Sequence, residues 1–410
     1  MNEDTLLSRF LRYVEIDTQS SESTGSHPST PGQTVLARML ADELSAMGAK
    51  DVRLSDTGYV YATIPATPGR EKENSLGFLA HMDTAPDAPG ANIHPSVVNY
   101  KGGVLPLGHS GRSLDPKTFS YLKKLSGKTL VVTDGTTLLG ADDKAGVAII
   151  MTMVGRLLAK DAPSHGEVRV AFTPDEEICE GTAFFDVGCF GAKRAYTFDG
   201  GNIDEVENAN FNAAHATFTI KGVSVHPGSA KGVMVNAIRI AAEIVESLAP
   251  EESPERTAGR EGFYHPVSIS GTPAKAEVAL LIREHDAVKF KAKKYMMGCI
   301  AQSLNEDYGA GTVTVDVRDQ YHNMEEILVK YPGLTEAACD AIRELGAEPK
   351  VLAVRGGTDG AELSYMGIPC PNLGTGCHHC HGECEYAVVE EMEAGLAVGL
   401  ALACGTKARE

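Results

Sequence analysis

Five short apolar runs, VYATIPA, SLGFLAHMD, TLVVTDG, EVRVAFTPDEE and RAYTFDGG, punctuate the first half of this 410-residue chain. They are separated mostly by helical or loop stretches, and each reads as a buried strand. GVAIIMTMVGRLLAK, beginning at Gly146, is apolar enough to be a buried helix. Strands alternating with helices from about residue 36 to 208 require an α/β sheet covered by helices.

From about residue 210 the pattern changes. AHATFTIKG alternates like a half-exposed strand, VMVNAIRIAAEIVESLA is an amphipathic helix, and AEVALLIREHD is a strand. A second helix, FKAKKYMMGCIAQSLNE, and a strand, GTVTVDVRDQY, follow. Strands with one polar face plus two helices indicate a small α+β unit with an open antiparallel sheet. The α/β texture resumes after about residue 322 with EEILVKYPGLTEAACDAIRELG and a closing helix from Val389 to Leu402. The expected organisation is a discontinuous α/β domain, residues 1–208 and 323–410, carrying an inserted α+β domain, residues 209–322. A chain of this length is too long for one ordinary core, so two domains are the default.

The formal net charge of -18, from 37 basic and 55 acidic side chains, argues against nucleic-acid or anionic-membrane partners. The opening MNEDTLLSRFLRYVEI places Leu6, Leu7, Phe10, Leu11 and Val14 at helical spacing and has no basic n-region, so an amphipathic helix is expected rather than a signal peptide. No segment holds the roughly 18 apolar residues needed to span a bilayer. Nine cysteines, an odd number without framework spacing, suit a reducing cytoplasm.

Acidic residues and histidine gather where the apolar runs end. SLGFLAHMDT delivers His81 and Asp83, two apart and so on one face of a strand. That spacing lets Asp83 hold the second ring nitrogen of a metal-bound His81, although a buried histidine satisfied by a nearby aspartate has the same pattern. TLLGADDKAGVAII sets Asp142 and Asp143 between a glycine turn and a buried helix, where one could bind a cation or cap the helix. EVRVAFTPDEE ends in Asp175, Glu176 and Glu177, either an exposed acidic loop or a ligand cluster, and RAYTFDGG ends in Asp199 before two glycines. In an α/β sheet ligands bind at the carboxyl ends of the strands. Taken together, these oxygen and imidazole groups suit divalent metals in a hydrolytic site.

Competing signatures fail. There is no HExxH helix and no GxSxG elbow, and SGKTL imitates a phosphate loop except that Leu122 stands where the first glycine is required. The GTGCHHCHGECEY segment offers Cys377, Cys380 and Cys384 for a separate structural zinc, or is an incidental cysteine-rich loop beside the site.

With HMDT, LLGADDKAG, FTPDEE, FDGG, VHPGSAKGVMVNA, EGFYH, RGGTDGAELSYMGIPCPNL and CHGE in this order, the chain resembles the M20 family of co-catalytic zinc peptidases, and within it the tripeptide aminopeptidases. The resemblance implies a central mixed sheet flanked by helices, as in zinc exopeptidases, with the inserted α+β domain as a lid hinged near residues 209 and 322. It implies two Zn2+ per chain, or other divalent metals such as Mn2+ or Co2+. One ion would be held by His81 and Asp199 and the other by Glu177 and His381, with Asp142 bridging and the peptide into Asp143 cis. Asp83 would orient His81 and Glu176 would be the general base. His378 and His379 lie close enough to compete with His381 as the last ligand. On the lid, His226 would stabilise an oxyanion, and Asn236, Arg283 and Arg355 would bind the peptide, a guanidinium matching its terminal carboxylate.

The substrate implied is a short peptide, with a dipeptidase or an N-acyl-amino-acid deacylase as the alternative. A non-catalytic zinc-storage protein would have no use for Glu176. Lid sheets in this family often pair, which makes a homodimer one open possibility for the oligomeric state.

Overall fold

The computed structural model describes residues 5–405. The chain divides into two compact units, one of Met1–Asn208, Glu326–Leu352 and Thr358–Glu410, the other of Ala209–Glu325 and Ala353–Gly357.

The first unit is built on an eight-stranded mixed sheet. Its spatial order is Lys50–Leu54, Val60–Ile64, Val168–Thr173, Leu76–His81, Arg194–Gly200, Asn372–Gly374, Glu205–Ala209 and Lys350–Ala353. In the middle, Leu76–His81 runs parallel to Val168–Thr173 on one side and to Arg194–Gly200 on the other, and Asn372–Gly374 continues the parallel set. Strands buried on both faces carry near-continuous apolar side chains, which is why these runs lack alternation. Leu79 and Ala171 pack on one face with Tyr59, Tyr61, Phe185 and Leu363. Phe78 and Phe198 stack with ring centroids 6.0 Å apart, where Phe198 meets Gly399 of the closing helix.

The helix Ala141–Leu157 is buried almost all round, packed between the strand Leu76–His81 and the helices Leu6–Val14 and Val389–Cys404. Gly146 lets it approach: a Cβ there would sit 2.2 Å from the Phe198 carbonyl oxygen and 2.5 Å from Asp143 Oδ1.

The TLVVTDG run departs from expectation. Thr129–Val132 belongs to a separate four-stranded antiparallel sheet, in the order Cys377–His378, Tyr386–Val388, Thr129–Val132 and Ser96–Asn99. Leu130 and Val132 pack with Leu107, Leu114, Leu122, Tyr386 and Val388 in a core of their own. An apolar run of four residues satisfies any sheet, so its partner is chosen by the chain that folds beside it. Lys50–Leu54 carries three charged residues in five and Asn372–Gly374 is only three residues long, so neither reads as a strand in the sequence.

The second unit is a four-stranded antiparallel sheet in the order Phe263–Thr272, Lys275–Glu284, Asn212–Lys221 and Val313–Tyr321. Ala214, Ala216, Phe218 and Ile220 face a core shared with the helices Ala237–Glu246 and Ala287–Tyr308, as period-2 alternation requires. The strand Phe263–Thr272 has no counterpart in the sequence pattern. Its Pro266 is tolerated because the strand lies at the sheet edge, and the register shifts between Pro266 and Ser268. Among the described residues, no helix is long and apolar enough to cross a membrane.

Gly146→Ala should lower the stability of the first unit by about 1–3 kcal/mol, because a methyl group would be forced into a closed helix–strand contact. A denaturation midpoint equal to that of the unsubstituted chain would contradict the packing described.

Candidate metal centre

Parallel strands deliver their last residues to one edge of a sheet, and here that edge collects acids and a histidine. His81 ends its strand in register with Thr173, which leads through Pro174 into Asp175, Glu176 and Glu177. Asp199 is the penultimate residue of Arg194–Gly200. Asp142 and Asp143 do not follow a strand of this sheet but open the helix Ala141–Leu157, entered through Gly140 at φ 72° and joined by a cis peptide bond. His381 arrives from the far end of the chain, between the short strands Cys377–His378 and Tyr386–Val388.

Five side chains converge with Asp142 at the middle. Its Oδ1 lies 3.0 Å from His81 Nε2, which is also 3.4 Å from Asp199 Oδ1. Its Oδ2 lies 3.5 Å from His381 Nε2, which is 3.0 Å from Glu177 Oε2. Each Asp142 oxygen thus faces its own imidazole–carboxylate pair. Two groups of potential ligand atoms, each within 4.8 Å, overlap here: His81, Asp142 and Glu177, and His81, Asp143 and Asp199. Asp143 has its carboxylate committed elsewhere, accepting from the backbone N–H of His81 at 3.1 Å and of Gly146 at 3.3 Å.

The electrostatics are those of a site short of positive charge. Burial alone would favour a neutral His81 ring, but Asp142, Asp199 and Asp83 push its proton affinity well up. Burial opposes ionisation of Asp142 as well, yet the rings of His381 and His81 hold its carboxyl below the usual range. Burial and then the Asp142 charge push Glu177 up to about 7. Its Oε1 is buried without a hydrogen-bond partner among the described residues. Carboxylates are buried at such density only where cations or protons compensate them, and this donor set of oxygens and imidazoles fits divalent metal.

The positions of these side chains are held from behind. Asp83 lies beside His81, with Oδ1 3.4 Å from the ring Nδ1. The same carboxylate accepts from the backbone N–H groups of Glu176, at 3.0 Å, and Glu177, at 3.1 Å. It therefore fixes the acidic loop as well as the imidazole. Asp175, in the left-handed conformation at φ 59°, is spent on the entry to the helix Pro31–Met47, accepting from the Ser29 backbone at 2.7 Å and from Gln33 Nε2 at 2.6 Å. Thr358 Oγ1 donates to Asp199 Oδ2 at 3.0 Å.

Glu385 does the equivalent for Asp142. Its buried carboxylate accepts from the backbone N–H groups of Leu139 and Gly140, each at 2.7 Å, and of Asp142 at 3.0 Å. Neither Glu385 nor Thr358 is legible as a site residue in the sequence, because backbone N–H groups leave no spacing pattern. The nearest signal is an acid, Glu385, directly before the apolar run YAVV.

The three neighbouring histidines separate cleanly. His378 Nε2 is paired with Glu391 Oε2 at 2.8 Å, and His379 packs on Phe119 with ring centroids 4.4 Å apart. Only His381 of the three reaches Asp142 and Glu177. No thiol belongs to either ligand group among the described residues.

The residues expected to bind substrate lie in the second unit. His226 is exposed and caps the turn Pro227–Ser229, its Nδ1 accepting from the Gly228 N–H at 3.1 Å. Asn236 caps the helix Ala237–Glu246 through Ile238 N–H at 3.0 Å. Arg283 is buried, donating to the Ile282 carbonyl at 3.0 Å and to Gln320 Oε1 at 3.0 Å, with Tyr321 beneath it. Arg355 donates to the carbonyls of Gly259 and Glu261 and to Thr257 Oγ1, between the rings of Phe211 and Phe263.

Residues 208–312 match the peptidase dimerisation domain of the M20 family. The chain is 49% identical over 389 residues to a peptidase T from Geobacillus kaustophilus, covering 94% of both chains. It is 46% identical over 398 residues to a peptidase T from Escherichia fergusonii, covering 96% of this chain and 97% of the other. Its fold is similar to that of aminopeptidase PepT from Bacillus cereus, with a TM-score of 0.77 at 23% identity and 98% of both chains covered. A dinuclear metal-binding peptidase of the M20 family from Bacillus subtilis is similar at a TM-score of 0.65 and 15% identity, over 97% of this chain and 96% of that one.

Glu385→Gln keeps the shape but turns an amide N–H2 toward backbone donors. Metal affinity or turnover should fall about 10–100-fold, as for other groups that support a metal ligand from behind. Unchanged metal content and unchanged turnover together would remove Glu385 from the support of Asp142.

Proposed function

The chain belongs to the peptidase T family of M20 metallopeptidases, and from that premise we propose that it is a metal-dependent aminopeptidase releasing the N-terminal residue from tripeptides. The observation that carries this reading is the convergence of His81, Asp142, Glu177, Asp199 and His381 from five separate parts of the chain. In it, His81 and Asp199 would hold one divalent ion, Glu177 and His381 would hold a second, and Asp142 would serve both. Zinc is the metal we assign, on the mixture of imidazole and carboxylate donors. A pair of such ions, when bound, supplies Lewis acidity toward the scissile carbonyl and lowers the pKa of water.

The remaining work falls to protein groups. Glu176 belongs to neither ligand group, and its backbone is pinned by Asp83. Burial, and next the Asp199 charge, raise its proton affinity well above that of an ordinary glutamate. A carboxylate so placed accepts a proton from the attacking water and passes it to the leaving amine. Asp83 keeps the His81 ring and the Glu176–Glu177 loop in one arrangement, so base and ligands do not move independently.

His226 is assigned the oxyanion. With Nδ1 accepting from Gly228 N–H, the neutral ring carries its proton on Nε2, where it can donate to a developing charge. Asn236, Arg283 and Arg355 are assigned to the peptide. The buried Arg283 would act through its neighbours unless it is uncovered, whereas Arg355 is half-buried. The match of residues 208–312 to a dimerisation domain supports a homodimer. The free cysteines support a cytoplasmic location.

Glu176→Gln should lower turnover by at least about 100-fold while metal content stays near two ions per chain. Loss of metal in that variant would make Glu176 a ligand instead. Di-, tri- and longer peptides assayed side by side should show tripeptides cleaved fastest. Faster cleavage of dipeptides, or of N-acyl amino acids, would replace the tripeptide assignment.

A further inference from the structure

The cysteines of the GTGCHHCHGECEY hairpin are not used by the chemistry above. Cys377 and Cys380 are both free, with sulfur atoms 3.5 Å apart. Cys377 is buried in the strand Cys377–His378, which pairs with Tyr386 and Ala387, and its sulfur accepts from Thr375 Oγ1 at 3.1 Å. Cys380 is partly exposed at the turn, and the next residue is His381. The geometry points to a reversible Cys377–Cys380 disulfide that lowers turnover by displacing His381 from Asp142 and Glu177.

A disulfide needs the two sulfurs to close to about 2 Å, roughly 1.5 Å nearer than they stand. Cys377 has little room to move. Its strand is hydrogen-bonded to Tyr386–Val388, and His378 is tied to Glu391 at 2.8 Å. A Cβ on the preceding Gly376 would already lie 2.6 Å from Glu391 Cβ, so the chain runs closely over that helix. Most of the closure therefore falls on Cys380. The backbone on either side of Cys380 has little slack, since the flanking His379 at φ 55° and His381 at φ 64° are both in the left-handed region, where non-glycine residues are held only by their surroundings. Moving Cys380 moves His381, whose ring nitrogen has partners at 3.0 and 3.5 Å to lose.

The oxidant is hydrogen peroxide. The partly exposed Cys380 sulfur attacks one peroxide oxygen, the O–O bond breaks, and water leaves with a sulfenic acid formed on Cys380. The Cys377 sulfur then displaces that hydroxyl, which leaves as a second water. Two thiols and one peroxide give one disulfide and two waters, with both sulfurs oxidised and both peroxide oxygens reduced. A dithiol reductant reverses the change by thiol–disulfide exchange.

This inference rests on the reading of His381 as a metal ligand, and the test separates the two. The metal-loaded enzyme is treated with hydrogen peroxide and followed by peptide mapping, metal content and turnover. The expected result is a Cys377–Cys380 cross-link, two hydrogens lighter than the dithiol, accumulating in step with a fall in turnover of at least about ten-fold. Dithiothreitol should restore turnover. Cys380→Ser, with Cys377→Ser as a second variant, should keep its turnover under the same treatment. Three outcomes overturn the inference: oxidation of Cys380 to sulfinic acid without a cross-link, a cross-link with turnover unchanged, or an equal loss in both serine variants. Full metal content and turnover in reduced His381→Ala would instead remove His381 from the metal reading, and the coupling with it.

Discussion

A carboxylate taken out of water must be met by hydrogen-bond donors or by positive charge, and that requirement organises the first unit. Asp83, Asp143, Asp175 and Glu385 are buried, and each is answered by N–H donors, mostly of the backbone. These four settle the acidic loop, the start of the buried helix and the loop before it. Among the described residues, Asp142, Glu177 and Asp199 receive no such backbone answer. They meet the rings of His81 and His381, and what remains of their charge is available to a metal.

The supporting acids also explain why distant segments stay in register. Asp175 ties the start of the helix Pro31–Met47 to the end of Val168–Thr173, and Glu385 ties the C-terminal hairpin to the loop entering Asp142. The hairpin is thus fastened twice, through Glu385 and through the small sheet formed with Thr129–Val132. That double fastening sets His381 beside Asp142 and Glu177, and it holds Cys377 in its strand next to Cys380.

The second unit obeys a simpler rule. Its sheet keeps one apolar face against two helices, and its polar positions follow by alternation. His226 stands on an exposed turn, whereas Arg283 is drawn into the sheet by carbonyl acceptors and the Tyr321 ring. Two arginines of equal promise in the sequence, Arg283 and Arg355, come to different surroundings because burial depends on neighbours that the local pattern does not contain.

The α/β texture, the inserted α+β segment and the gathering of acids at strand ends were legible in the sequence, because side-chain periodicity and strand-end composition are local properties. So were HMDT, GADDKAG and TPDEE as sources of the His81, Asp142 and Glu177 side chains that the fold brings together. Three things were decided only by the tertiary structure. Thr129–Val132 joined a separate sheet, because a short apolar run carries no information about its partner. His381, rather than His378 or His379, met Asp142, because Glu391 and Phe119 engage the other two rings. Glu385 took up its place behind Asp142 through backbone N–H groups, which every residue but proline possesses and which no sequence can therefore mark.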